Sequence, residues 1–146
     1  MQIGVETSRS VENKRIFVID EDEIQRAALQ FMLHDENETH EFGSLAPAFA
    51  KAQEWPPQLV ILGEAFLRGR GLDAISVVTD TLANVKVLVV AASPDSAIMA
   101  DASGAGAHGM LAAPLTVENV RRKVDTLLGR GGAAMIQLAP LAAKAD

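Results

Sequence analysis

The chain has 146 residues, of which 49% are hydrophobic, which is enough for one domain with a sizeable core. A formal net charge of −6 disfavours nucleic acid as a partner, because phosphate-backbone binding relies on clustered Lys and Arg. With no cysteine, disulfides, thiolate catalysis and cysteine-based metal sites are excluded.

Residues 1–13 read as a polar extension without the apolar core of a signal peptide. The longest apolar run, Val85 to Ala92, is interrupted by Lys86 and too short to span a bilayer, so the expected setting is cytoplasmic, with no membrane partner. A first strand over Arg15–Ile19 is nearly all apolar and closes in the acidic stretch Asp20 to Glu23. Asp22, with Gln25 three residues on, predicts the cap of a first helix, in which Ile24, Ala27, Ala28, Phe31 and Met32 recur at helical spacing. A weaker strand over Thr39–Phe42 precedes a helix over Ser44–Trp55, which Pro56 and Pro57 stop. The third strand is Gln58–Leu62, and a helix over Leu72–Leu82 follows, with Ile75, Val78 and Leu82 on one face. The fourth strand, Val85–Ala91, leads to Ser93-Pro94-Asp95, a helix start with serine as cap and proline in first position. Gly104 and Gly106 end that helix. A short fifth strand over Met110–Ala112 leads to Pro114 and to a last helix, capped by Thr116, with Val117, Val120, Val124, Leu127 and Leu128 as its stripe.

Five strands alternating with five helices predict an α/β fold, a doubly wound parallel sheet, in one domain over residues 14–130. The tail, residues 131–146, has two readings, a mobile terminus or a docking segment carrying Met135, Ile136, Leu138 and Leu141.

Function in such sheets gathers at the carboxyl ends of the strands. There, Val18-Ile19-Asp20-Glu21 resembles the acidic pair of bacterial response-regulator receiver domains, and Pro57 to Gly63 resembles the strand that carries their phosphate-accepting aspartate. Arg68-Gly69-Arg70-Gly71-Leu72 is similar to the family's turn into its third helix, with Gly71 eight residues past Gly63. Ala105-Gly106-Ala107 and Met110 to Pro114 resemble its last patterned segment. The resemblance covers Lys14 to Arg130 and implies a flavodoxin-like, receiver-type sheet with strand order 2-1-3-4-5.

It also implies which parts are missing. Phosphoryl transfer to a carboxylate needs a nucleophile, a divalent cation held by carboxylates, and a cation and a hydroxyl to stabilise the phosphoryl oxygens. By resemblance, Gly63 stands at the nucleophile position, Ala91 at that of the hydroxyl and Ala113 at that of the lysine, while Met110 replaces a reporting aromatic. The Ala113–Pro114 bond is implied to be cis. The strand period and the spacing to Gly71 turn Glu64 away from the site, against its being a displaced acceptor or resident phosphate mimic. Asp20 and Glu21 have two readings: helix cap and dipole partners, or a weak cation site.

The expected function is a pseudo-receiver that works without phosphorylation, cofactor or catalysis and binds a signalling protein, whether kinase, regulator or structural partner, or a second copy. The resemblance implies contact through the expected fourth helix, fifth strand and fifth helix, where Ile98, Met99 and Met110 lie. The alternative is a sensor of a nucleotide messenger or other phosphoanion, since Arg68, Arg70 and Arg130 lie in glycine-spaced segments. His34, His40 and His108 lack metal-type spacing.

Overall fold

A computed structural model describes residues 14–130. Both the N-terminal extension and the tail lie outside the described residues. Five parallel strands form one sheet in the order β2-β1-β3-β4-β5: β1 Lys14–Ile19, β2 Asn37–Phe42, β3 Leu59–Gly63, β4 Lys86–Ala91 and β5 Gly109–Ala112. Six helices connect and flank them among the described residues: α1 Glu23–Leu33, α2 Leu45–Ala52, α3 Glu64–Arg70, α4 Asp73–Thr81, α5 Ile98–Gly104 and α6 Val117–Leu128.

The central strands are buried on both faces, which explains their continuous apolar runs. Alternation sorts them into two layers. Phe17, Ile19, Val60, Leu62, Val87, Val89 and Ala91 face α2 to α5, and Ile16, Val18, Leu59, Ile61, Leu88 and Val90 face α1 and α6. At the edge, Arg15 Nε donates to Glu38 at 2.7 Å and joins β1 to β2. That bond, with a second from His40, lowers the Glu38 carboxyl to about 2.

Three expectations need correction. The helix count is six, because Glu64–Arg70, expected as loop, is helical. The face of α1 is also different: Leu29 and Leu33 are buried against Val120 and Val124 of α6, whereas Ile24 is 83% exposed and Phe31 72% exposed. This helix carries apolar residues on two sides, and only one side can face the sheet; the i, i+4 leucine pair takes it. Its cap is as expected, with Asp22 Oδ1 accepting from the amides of Ile24 at 3.0 Å and Gln25 at 3.1 Å. Third, Ser93 does not start α5. Residues 93–96 form a turn closed by Ser96 N–H to the Ser93 carbonyl at 3.1 Å, and the helix begins at Ile98, whose amide donates to Ser96 Oγ at 3.3 Å. A side chain from another element bonds the Ala92 amide just before this turn, as described below.

The remaining bounds move by a few residues: β2 begins at Asn37, and α2 ends at Ala52 rather than Trp55. Thr116 Oγ1 caps α6 by accepting from the Asn119 amide at 3.0 Å, and Gly129, at φ 78°, ends it in the left-handed region where glycine is favoured.

Candidate functional site

Parallel strands bring their carboxyl ends to one edge, and the expected residues stand there in a row. Asp20 follows β1, Gly63 ends β3 opposite Val90, and Ala91 ends β4 opposite Ala112. The Ala113 amide donates to the Ala91 carbonyl at 2.9 Å, and the Ala113–Pro114 bond is cis, as the resemblance implied. Ala91 is fully buried, and Met110 is half-buried against the core.

Gly63 has no free space beside it. A Cβ added there would lie 1.9 Å from Asp20 Oδ2 and 2.1 Å from Asp20 Cγ. The Asp20 carboxylate therefore occupies the volume into which any side chain at 63 would project. Asp20 is 1% exposed and accepts the Asp22 amide at 3.2 Å, with the amides of Phe66 and Glu21 also near its carboxylate. Burial pushes its carboxyl above the usual carboxylate range, against those three amides, and neighbouring Asp22 pushes the same way.

Phe66 lies in the first turn of α3, whose own cap position, Gly63, has no side chain to offer, and the Asp20 carboxylate stands beside that turn. The acidic Glu64 in the first turn with Arg68 and Arg70 in the last suits the helix dipole. No capping side chain in the local sequence announced this helix.

Glu64 is a correction at this edge. The strand period ends at Gly63, so alternation no longer governs the next residue, and Glu64 is turned inward and is only 5% exposed. Its Oε1 accepts the Ala92 amide at 2.7 Å, and its Oε2 accepts Arg68 Nε at 2.7 Å together with Arg68 Nη2. The Ala92 bond, opposed by burial and aided by Arg68 and the Ser96 hydroxyl, holds this carboxyl below its usual range. Asp20, Glu64, Arg68 and Ala92 line a pocket of about 290 Å³, with Asp22 and Gln25 at its side. Glu21, Ala113 and Met110 do not line it.

These groups do not fit a divalent cation. Asp20 Oδ1 accepts the Asp22 amide and its Oδ2 is turned against Gly63, Glu64 bonds Ala92 and Arg68, and the Glu21 carboxylate lies beside Gly69 of α3. Among the described residues no group of three His, Cys, Asp or Glu side chains is placed to hold a metal. Of the residues expected at a partner surface, Ile98 is 8% exposed and Met99 and Met110 pack partly on the core. Among the described residues, the large exposed apolar side chains are Ile24, Phe31, Trp55 and Val117.

The arginines of the two glycine-spaced segments do not converge. Arg68 pairs with Glu64, and Arg70 with Asp73 at 3.3 Å, at the carboxyl end of β3. Arg130 bonds to Asp125 at 3.1 Å and to Asn37, the first residue of β2, at 2.6 Å, which is the other end of the sheet.

A doubly wound parallel sheet of this strand order, with an acidic residue after β1, is the architecture of flavodoxin-like α/β domains, to which receiver domains belong. The chain belongs to the response regulator receiver domain family, which it matches over residues 16–125. It is 28% identical over 120 residues to the transcriptional regulatory protein LnrK of Bacillus subtilis, covering 80% of this chain and 54% of that protein. The chain thus spans about half the length of that relative. Among solved structures it is similar to a response regulator from Thermotoga maritima, with TM-score 0.71 and 20% identity over 80% of this chain and 98% of that one. A response regulator receiver protein from Burkholderia phymatum gives 0.70 and 20%, over 82% and 98%. A putative pilus assembly-related protein from Burkholderia pseudomallei gives 0.67 and 20%, over 80% and 90%. At these identities the structures attest the fold. No helix among the described residues is long and apolar enough to cross a membrane.

Proposed function

We propose that this receiver domain has lost phosphoryl chemistry and serves bacterial signal transduction as a non-catalytic protein–protein interaction module. The observation that carries the reading is the filled volume at Gly63: the position that resembles the family's acceptor has no side chain, and the Asp20 carboxylate stands where one would begin. Ala91 and Ala113 support it, since neither offers the hydroxyl or the ammonium that would stabilise phosphoryl oxygens. The partner is a kinase, a regulator, a structural protein or a second copy, met in the cytoplasm without nucleic acid, membrane or cofactor. The phosphoanion-sensing alternative lacks such support, because Arg68 and Arg130 stand at opposite ends of the sheet.

Capture experiments on the full chain test the reading. With acetyl phosphate and magnesium present or absent, the same partner is expected in the same amount. Recovery only in the presence of the phosphodonor would overturn the proposal. Calorimetry with cyclic dinucleotides is expected to show no heat at submillimolar concentration, and saturable binding would favour the sensor instead.

A further inference from the structure

Glu64 reaches across 28 positions of sequence to the Ala92 amide, the first backbone donor after β4. Its carboxylate makes no bond to its own helix backbone among those described; it serves a different connection. Ser96 lies beside this link: its hydroxyl helps to lower the Glu64 carboxyl, and its Oγ accepts the Ile98 amide at 3.3 Å. Ile98 is the first residue of α5, is 8% exposed and packs into the core. These contacts run from a buried charge on α3 through the turn to the start of α5.

The chemistry favours a fixed arrangement. Charge-assisted hydrogen bonds are roughly twice as strong as neutral ones, and a buried carboxylate without its donors costs more than a neutral group would. Arg68 is 71% exposed on its side chain and covers Glu64 from the solvent side, in the favourable order with glutamate four residues before arginine. The polar side chains that line the pocket with Glu64 from the other elements are Asp20, Asp22 and Gln25. None of them offers a cation, so the donors of Ala92 and Arg68 hold it.

We propose that Glu64 is a positioning residue that latches the β4–α5 connection and so presents α5 in one arrangement with no added phosphoryl group. This deepens the interaction-module reading and rests on it for its consequence: a resident carboxylate does permanently what a transient anion would have to do by arriving at the Ala92 amide.

Residue-resolved amide hydrogen exchange on the full chain tests the latch. In Glu64→Ala, the Ala92 and Ile98 amides are expected to exchange about tenfold faster relative to the Leu62 and Val89 amides of the same variant, the loss of one charge-assisted bond. Glu64→Gln retains an acceptor oxygen and is expected to recover most of the protection. Arg68→Ala removes only the solvent-side partner and is expected to leave Ala92 slow. Acceleration at Ala92 no greater than at Leu62 and Val89 would overturn the proposal, as would Arg68→Ala matching Glu64→Ala. Should Glu64→Ala fail to fold, the Glu64→Gln and Arg68→Ala comparison decides, with protection lost in neither as the expected result and loss at Ala92 in Arg68→Ala as the contrary one. Phosphorylation of the wild-type chain would refute the interaction-module reading while leaving this exchange pattern intact, so the two failures are distinct.

Discussion

Gly63→Asp is expected to destabilise the domain by roughly 1–3 kcal/mol, the range for forcing extra atoms into a packed site, and to gain no phosphoryl group from acetyl phosphate. The new Cβ would start 1.9 Å from Asp20 Oδ2, so one of the two side chains must move. Displacing Asp20 costs its bond to the Asp22 amide and its place beside the amides of Phe66 and Glu21. Two carboxylates would also share a site with no ammonium nearby, Ala113 standing where the family pattern has its lysine, and like charges raise each other's pKa. Urea unfolding measures the loss, and intact mass measures the chemistry. Adding Asp20→Ala to Gly63→Asp should recover part of the stability, because it vacates the contested volume. Equal stability of Gly63→Asp and wild type would contradict the close approach of Asp20.

Asp20→Asn is expected to stabilise the domain at neutral pH. Burial raises the Asp20 carboxyl in the folded state, so the folded protein holds this proton more tightly than the unfolded chain does. The associated stability is present below the ordinary carboxylate range and is lost as pH rises through the raised folded value. Asparagine keeps an acceptor oxygen for the Asp22 amide without the buried charge. Its advantage should therefore appear above the usual carboxylate range and vanish in acid, as read from melting temperatures across pH. Glu64 runs the other way. Its lowered carboxyl contributes stability above the ordinary glutamate range, lost as pH falls through the folded value. The two neighbouring carboxylates thus give opposite slopes, which Asp20→Asn and Glu64→Gln separate.

The sheet was legible because its information is local: β1, β3, β4 and β5 are apolar runs, only the polar β2 reads weakly, and parallel pairing follows from the alternation with helices. The caps of α1 and α6 were legible for the same reason, Asp22 and Thr116 bonding to amides within three residues. What escaped is non-local. The Asp20 carboxylate from β1 stands against Gly63 at the start of α3, Glu64 of α3 bonds the Ala92 amide before the turn at 93–96, and the buried face of α1 depends on which apolar stripe meets α6. Glu64 was misread because strand alternation was carried one residue beyond the strand. The absence of a side chain at Gly63 was plain from the sequence; that Asp20 fills its place was not, since only the folded geometry brings residue 20 against residue 63.

The central claim, a receiver domain whose site is closed to phosphoryl chemistry, is tested most directly by exposing the full chain to acetyl phosphate and magnesium. Intact mass and the amide NMR spectrum are then read together. The account predicts an unchanged mass and unmoved resonances for Gly63, Glu64, Ala92 and Ser96. A gain of one phosphoryl group, with a second set of resonances at these positions, would contradict it.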